Sequence, residues 1–275
     1  MPGDDCAGEK EQVGVLFRVL LCGKSGRYSL HPLRLIEPVK APEQLDPPSG
    51  QLLLVDKPLE WTSFDVVNKL RNAIRKAYGI KKIKVGHAGT LDPLATGLLL
   101  ICTGPYTRRL QELTGLEKTY TGTFLLGRTT PSYDLETPFE TDIPTHHITE
   151  EAVLDAFAAL SGPQMQVPPL FSAKKVDGKK AYIAARKGQD MEIPPAAIEI
   201  YSFSLAAFRL PEVDFEVRCS KGTYVRSLAR DVGQHLGTGA CLISLRRTQT
   251  GPYKVSDSFS LDDLCNHLNT KKATL

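Results

Sequence analysis

A chain of 275 residues, 41% hydrophobic and 24% charged, has the balance of a globular protein large enough to bury a sizeable core, as one large domain or two small ones. Its longest apolar run, Gly97-Leu-Leu-Leu-Ile-Cys102, has strand length, far short of the roughly 18–20 residues that cross a bilayer, and the opening Met-Pro-Gly-Asp-Asp lacks the basic-then-apolar order of a secretory leader. Membrane and secreted classes are therefore set aside, a cytoplasmic location is expected, and the net charge of +3 permits nucleic-acid binding without demanding it.

The first 48 residues end in a proline-rich stretch, Glu37-Pro38 to Pro47-Pro48, and read as an N-terminal extension outside the folded core, with a strand over Val13 to Leu21. Residues 49–275 read as the working domain. Leu52-Leu-Leu-Val55 is a buried strand stopped by Asp56-Lys57-Pro58. Thr62 or Ser63 caps a helix whose apolar positions Phe64, Val67, Leu70, Ile74 and Ala77 recur at helical spacing, with Gly79 placed to end it. A strand near Leu98 to Cys102, a short helix over Tyr106 to Leu113 and a strand over Thr119 to Leu126 follow. Thr149 to Leu160 is a second capped helix with acids in its first turn. Ser161 to Phe171 reads as an irregular loop and Ala181 to Lys187 as a short helix. Ile198 to Leu210 and Val213 to Cys219 form a hairpin through Pro211-Glu212, Tyr224 to Leu236 a helix stopped by Gly237, and Cys241 to Arg247 a final strand. Strands outnumber helices and hairpins occur, so the fold class is α+β with a mixed, largely antiparallel sheet and flanking helices.

Six cysteines lie far apart with no C-x-x-C pair, and His146-His147 has no zinc-ligand spacing to any of them, so reduced thiols and no structural metal are expected. Charge distribution says more than the sum. Lys69 through Lys84 is almost unopposed basic sequence, and Lys174, Lys175, Lys179, Lys180, Arg186 and Lys187 make a second cluster. One such run alone reads as a solvated face. Two runs flanking one motif-rich region point to a phosphate-contacting surface. The acidic stretch from Asp134 to Asp155 is expected to face away from it.

Asp92 lies in Gly86-His-Ala-Gly-Thr-Leu-Asp-Pro-Leu-Ala-Thr-Gly97, the densest cluster of turn-forming and functional residue types in the chain. Pro93 disfavours helical backbone at Asp92, so the carboxylate belongs to a loop or strand end, and an Asp-Pro turn with ordinary Asx bonding is the plain alternative. Cys219-Ser-Lys-Gly-Thr-Tyr-Val-Arg226 runs from a strand through a glycine turn to a helix start, where backbone N–H groups can meet an anion. Arg226 can pair with a carboxylate; on its own it reads as an exposed helix charge. Tyr120 is otherwise a plain strand aromatic, and Leu242 to Arg247 a core strand with a basic end.

Leu54-Val-Asp-Lys-Pro58, the Gly86 to Leu99 block, Lys118-Thr-Tyr120, Phe171-Ser-Ala-Lys174, Cys219 to Arg226 and Leu245-Arg-Arg247, in that order between Gln51 and Pro252, together resemble the TruB family of pseudouridine synthases. The Leu94-Ala-Thr-Gly97 form is similar to the stand-alone bacterial branch more than to the guide-RNA-dependent one. The resemblance implies the pseudouridine synthase core with a central RNA-binding cleft, and isomerisation of uridine-55 in the T loop of tRNA without metal or cofactor. It matches Asp92 to the catalytic aspartate, Tyr120 to the aromatic stacked on the target base, Arg226 to the arginine paired with the aspartate, and Leu245 to an apolar wall beside the base. It matches His87 to the residue that enters the T loop, places Tyr224 in the same pocket, and gives Lys57 and Pro58 the support of the floor. The implied partner is the T arm of tRNA, with no membrane, no obligate protein partner and a monomeric state.

Two departures from the family pattern stand out. Gly127-Arg-Thr-Thr-Pro-Ser-Tyr-Asp134 lacks the aspartate usual after the Gly-x-x-Thr turn, leaving Asp134 as a substitute or the role unfilled. The chain ends soon after Leu261-Asp-Asp-Leu264, so no C-terminal RNA-binding domain is expected, and a thumb-like insertion at about 165–195 is expected to cover the RNA. Two further readings stay open: a tRNA-binding or folding protein without turnover, and a guide-dependent synthase acting on ribosomal RNA.

Overall fold

The computed structural model describes residues 18–22, 28–32, 36–172, 174–176, 179–185 and 191–272. Residues 1–36 form one unit, a two-stranded antiparallel pair of β1 (Arg18–Cys22) and β2 (Tyr28–Pro32); the start of the strand predicted from Val13 lies outside the described residues. The second unit runs from Glu37 to Leu275. The division thus falls after Ile36, where the sequence placed the end of the extension at residue 48. Pro38 bridges to Leu52, and Val39 and Leu45 are buried in the same core as the first helix, so this proline-rich stretch is held by apolar burial.

In chain order the second unit contains β3 (Leu52–Lys57), α1 (Ser63–Ala77), β4 (Val85–Ala88), β5 (Ala95–Thr103), α2 (Leu110–Thr114), β6 (Lys118–Leu126), α3 (Glu150–Ala159) and β7 (Gly162–Gln166). Next come β8 (Lys175–Val176), β9 (Lys179–Lys180), α4 (Ala181–Ala185), β10 (Ala196–Arg209) and β11 (Glu212–Cys219). The chain closes with α5 (Val225–His235), β12 (Ala240–Thr250), β13 (Tyr253–Lys254), β14 (Phe259–Ser260) and α6 (Leu261–Lys272).

Helix α1 shows how local sequence sets these elements. Thr62 Oγ1 accepts from the Asp65 N–H while the Asp65 carboxylate accepts from the Thr62 N–H, both at 3.0 Å, a reciprocal capping box. Val66, Val67, Leu70, Ile74 and Ala77 are buried along one stripe, and Gly79 takes a φ of +60° just past the end. Phe64, expected on that stripe, is instead exposed and lies under the Arg71 guanidinium.

Among the described residues one mixed sheet runs β14-β3-β5-β12-β6-β11-β10-β7, with β4 paired to β5 and β13 to β12. The β14–β3 and β5–β12 pairs are parallel and the rest antiparallel, as the α+β reading requires. Helices α1 and α6 cover the β3–β5 end; α3 and α5 pack on the β6, β10, β11 and β12 end. Sequence placed a loop over Ser161 to Phe171, but Gly162–Gln166 is an edge strand on β10. Pro163 is compatible with an edge, where half the backbone groups need no ladder partner. The strand expected to be last, β12, is followed by β13, β14 and α6.

The parallel β5–β12 junction in mid-sheet matters most. Leu245 aligns with Ala95 and Arg247 with Gly97 on one side, and the same residues align with Gly122 and Tyr120 on the other. The strands approach so closely at Gly97 that a Cβ there would lie 2.3 Å from the Arg247 carbonyl oxygen, and φ is +101°. Only glycine meets both constraints. The loop carrying Asp92 enters β5 at this junction.

Candidate active site

Asp92 is fixed through its neighbours. The Ser63 hydroxyl, at the start of α1, accepts from the Leu91 N–H (2.8 Å) and donates to the Leu91 carbonyl (3.1 Å). On the other side, the Pro93 carbonyl accepts from the Glu60 N–H (2.9 Å) and from Lys57 Nζ (3.2 Å). Lys57, at the end of β3, is fully buried and also donates to the Pro58 and Trp61 carbonyls. Burial lowers its pKa to about 8, against the pull of the Asp92 charge. The residues on either side of Asp92 are therefore immobilised while its carboxylate is left uncommitted to local Asx bonding.

Opposite stands Arg226, in the first turn of α5 and only 3% exposed, so its reading as an exposed helix charge is overturned. Its Nε lies 2.9 Å from Asp92 Oδ2 and 3.5 Å from Asp134 Oδ2, and Nη1 donates to the Ser132 carbonyl at 3.2 Å. The Nε–H is not in line with either carboxylate oxygen, so these contacts are ion pairs and not directed hydrogen bonds. Asp134 is buried, accepts from the Glu136 N–H, and joins β12 by a bridge to Leu242. The acidic stretch expected to face away thus sends its first residue into the site.

Asp92 keeps 42% of its side-chain surface open, on the side that faces the cavity, and is otherwise enclosed by protein. That enclosure pushes its pKa above the ordinary 3.8, the Asp134 and Glu136 charges add to the rise, and Arg226 opposes it.

Tyr120, on β6, is buried, and burial raises its phenol while the Arg247 charge draws it back. Arg247 on β12 is 1% exposed. Its Nε donates to the Leu98 carbonyl at 2.7 Å and Nη2 to the Gly89 carbonyl at 3.0 Å. Lys118 Nζ donates to the carbonyls of Thr114 (2.6 Å) and Leu116, and burial lowers its pKa to about 8. Tyr224 caps α5; its backbone N–H and carbonyl are both taken by the Gln166 amide, at 2.8 and 3.1 Å.

Asp92, Tyr120, Tyr224, Arg226 and Leu245 line one cavity of about 570 Å³. Lys57 supports the loop from behind and does not line it. His87, on β4, does not line the cavity; it is half-buried, its Nδ1 enclosed without a hydrogen-bond partner, and burial and then the Arg247 charge depress its pKa. Sequence reasoning gave Arg247 and Lys118 no role, and left Asp134 open. Among the described residues no three His, Cys, Asp or Glu side chains gather as a metal site. None of the helices among them is long and apolar enough to cross a membrane.

The mixed, largely antiparallel sheet with a parallel strand pair at its centre and a cleft at that junction is the pseudouridine synthase fold. A chain of a Cbf5-Nop10-Gar1 complex shares it with a TM-score of 0.65 at 23% identity, over 96% of this chain and 67% of that one. At the level of sequence, residues 75–225 match the model of the TruB family pseudouridylate synthase N-terminal domain, and residues 226–274 that of the tRNA pseudouridylate synthase B C-terminal domain. The second match includes α5 and β12, so it contributes Arg226 and the middle of the sheet. The chain is 49% identical to tRNA pseudouridine synthase B of Phocaeicola vulgatus over 81% of its length and 95% of that protein. It is 51% identical to the Flavobacterium johnsoniae protein of the same name, over 77% and 93%. The chain belongs to the TruB family, in its bacterial branch, and is a pseudouridine synthase, an isomerase.

The Arg226 arrangement makes a stability prediction. Arg226→Met leaves Asp92 and Asp134 facing each other without a cation, and should cost about 3 kcal/mol at neutral pH, the lower part of the range for breaking a buried pair because Asp92 is partly hydrated. Because the orphaned carboxylates can take up a proton, the loss should shrink at pH 5. Urea unfolding midpoints of wild type and variant at both pH values check this, and equal losses at both would contradict it.

Proposed function

We propose that the chain isomerises uridine-55 in the T loop of tRNA to pseudouridine, acting alone as a monomer without a guide RNA or protein partner. The observation that carries the reading is the convergence of Asp92, Tyr120 and Arg226, from three distant segments, on one cavity large enough for a pyrimidine nucleoside. The names of the bacterial relatives support tRNA as the substrate.

The reaction breaks the C1′–N1 bond and forms C1′–C5; the C5 proton is lost and N1 gains one, so every atom is conserved and no redox partner is needed. The Asp92 carboxylate adds to the base at C6 or takes part at C1′ and then leaves, dividing one hard step into two easier ones. Flipping the nucleotide out of its stack costs a few kcal/mol. Stacking on Tyr120 returns about 1–3 kcal/mol, and His87 entering the vacated place in the T loop offsets more. Leu245 and Tyr224 bound the base; Lys57 and Pro58 hold the floor. Asp134, sharing Arg226, takes the place of the missing family aspartate.

The segment between β7 and β10 supplies the thumb over the RNA. It contains the antiparallel pair β8–β9 and helix α4, and Lys174 Nζ closes its base on the Pro194 carbonyl. Arg186 and Lys187 of its basic cluster lie outside the described residues.

Mapping pseudouridine on an unmodified tRNA transcript incubated with this protein alone tests the proposal. Product at position 55 supports it, tight binding without product would favour a non-catalytic tRNA binder, and a requirement for added RNA would favour the guide-dependent reading. Asp92→Asn should abolish product while tRNA affinity changes by less than about tenfold, or about 1.4 kcal/mol. Since the ionised form of Asp92 reacts and its pKa is raised, the single-turnover rate should fall on acidification at a pH above the ordinary carboxylate range. Asp134→Asn removes one cause of that rise, so the acid limb should move to lower pH; an upward move would contradict the assignment. Replacing Lys174, Lys175, Lys179 and Lys180 by Gln should flatten the dependence of log affinity on log salt by about 0.7–0.9 for each phosphate no longer neutralised, and an unchanged slope would remove the thumb from the RNA interface.

A further inference from the structure

We infer that Arg247 is a positioning residue for the reaction, its guanidinium clasping both stems of the Asp92 loop from the strand position beside Tyr120, so that the nucleophile is held at a fixed place relative to the base-stacking ring. The inference rests on the proposed isomerase reading and concerns how that site is assembled.

The geometry is specific. Gly89 lies before Asp92 and Leu98 after it, and Arg247 donates to the carbonyls of both, at 3.0 and 2.7 Å, from different nitrogens of one planar group. The loop is therefore closed by a rigid two-pronged donor, which a lysine's single ammonium cannot reproduce. The backbone of Arg247 lies between Gly97 and Tyr120 in the sheet register, and Arg247 and Tyr120 line the same cavity. Its neighbours accept this arrangement at some cost. Gly97 must lack a side chain to let the Arg247 backbone in, and at Gly89, where φ is +86°, a Cβ would sit 3.3 Å from Arg247 Nη1. A buried arginine with no carboxylate ion pair among the described residues, bonded instead to carbonyls at the two ends of a catalytic loop, is explained by what it holds. Side chains that fix reacting groups act on the chemical step more than on binding.

The test compares Arg247→Met and Arg247→Lys with wild type, using single-turnover pseudouridine formation, tRNA Kd and its salt slope, and urea midpoints as the folding control. Arg247→Met should slow the chemical step about 100-fold, the scale of a displacement near 1 Å, with Kd within about threefold. Arg247→Lys should restore part of that, leaving a loss of about tenfold. The His87 imidazole, followed by proton NMR, should titrate higher in Arg247→Met and stay near its wild-type position in Arg247→Lys, since only the first removes the charge. If Arg247→Met does not fold, Arg247→Lys carries the test. A lysine variant with a single-turnover rate within about twofold of wild type would overturn the clasp. So would a loss confined to Kd with a flatter salt slope, which would make Arg247 a phosphate-binding residue instead. A wild-type protein that makes no pseudouridine from tRNA would instead sink the underlying reading, while leaving the His87 shift to report on the geometry alone.

Discussion

A single guanidinium held out of water between two carboxylates organises this molecule. Taking Arg226 from solvent costs several kcal/mol unless its charge is answered, and here the Asp92 and Asp134 carboxylates answer the charge while the Ser132 carbonyl accepts from one of its donors. The three partners come from different parts of the chain, so the requirement reaches outward. It brings the segment around Ser132 and Asp134 back against β12, and it places the first turn of α5 opposite the Asp92 loop. Enclosure of Asp92 in the protein is why it holds its proton more tightly than a free carboxyl does; Arg226 works against that rise and the neighbouring Asp134 carboxylate works with it.

The sheet supplies the second constraint. Antiparallel ladders make most of it, but the β5–β12 pair is parallel, which lets one strand, β12, align Leu245 and Arg247 with the end of the Asp92 loop on one edge and with the Tyr120 strand on the other. Side chains at residues two apart on a strand share a face. Leu245 and Arg247 therefore both line the cavity, one as an apolar wall and one as a donor. The register is protected by the close approach at Gly97, where no other residue would fit.

Elements with a local cause could be read from sequence. The Thr62 cap of α1, its apolar stripe apart from Phe64, the hairpin through Pro211 and the non-helical backbone at Asp92 before proline each have causes within a few residues, and these were found where expected. The site's assembly from distant strands was legible only through motif resemblance, because no periodicity announces that Tyr120 and Arg226 share a cavity with Asp92. What escaped notice was side chain bonded to remote backbone. Arg247 reaches partners 149 and 158 positions away, and Ser63 brackets Leu91 from 28 positions away. A serine, an arginine or a lysine used this way has the same sequence appearance as one facing solvent. The edge strand β7 was missed for a related reason: Gly162 and Pro163 look like loop, and only pairing with β10 makes the segment a strand. Residues 37–48 look like a linker for the same cause, since burial of Val39 and Leu45 depends on a core built from later residues.

The pattern around Asp92 explains how a reactive carboxylate is compatible with a stable fold. An aspartate before proline would ordinarily spend its oxygens on nearby backbone N–H groups, which holds the loop but lowers the carboxylate's reactivity. Here the loop is held without Asp92: Ser63 holds Leu91, while Lys57 and the Glu60 N–H hold Pro93. The ordering entropy of the loop is met during folding, by groups that take no part in the reaction. What remains at Asp92 is a side chain fixed in place, paired with Arg226 and still open to the cavity on one side. Fixing the reacting atom before substrate arrives is where positioned catalysts gain most. In this chain that gain comes from residues that never need to touch the base.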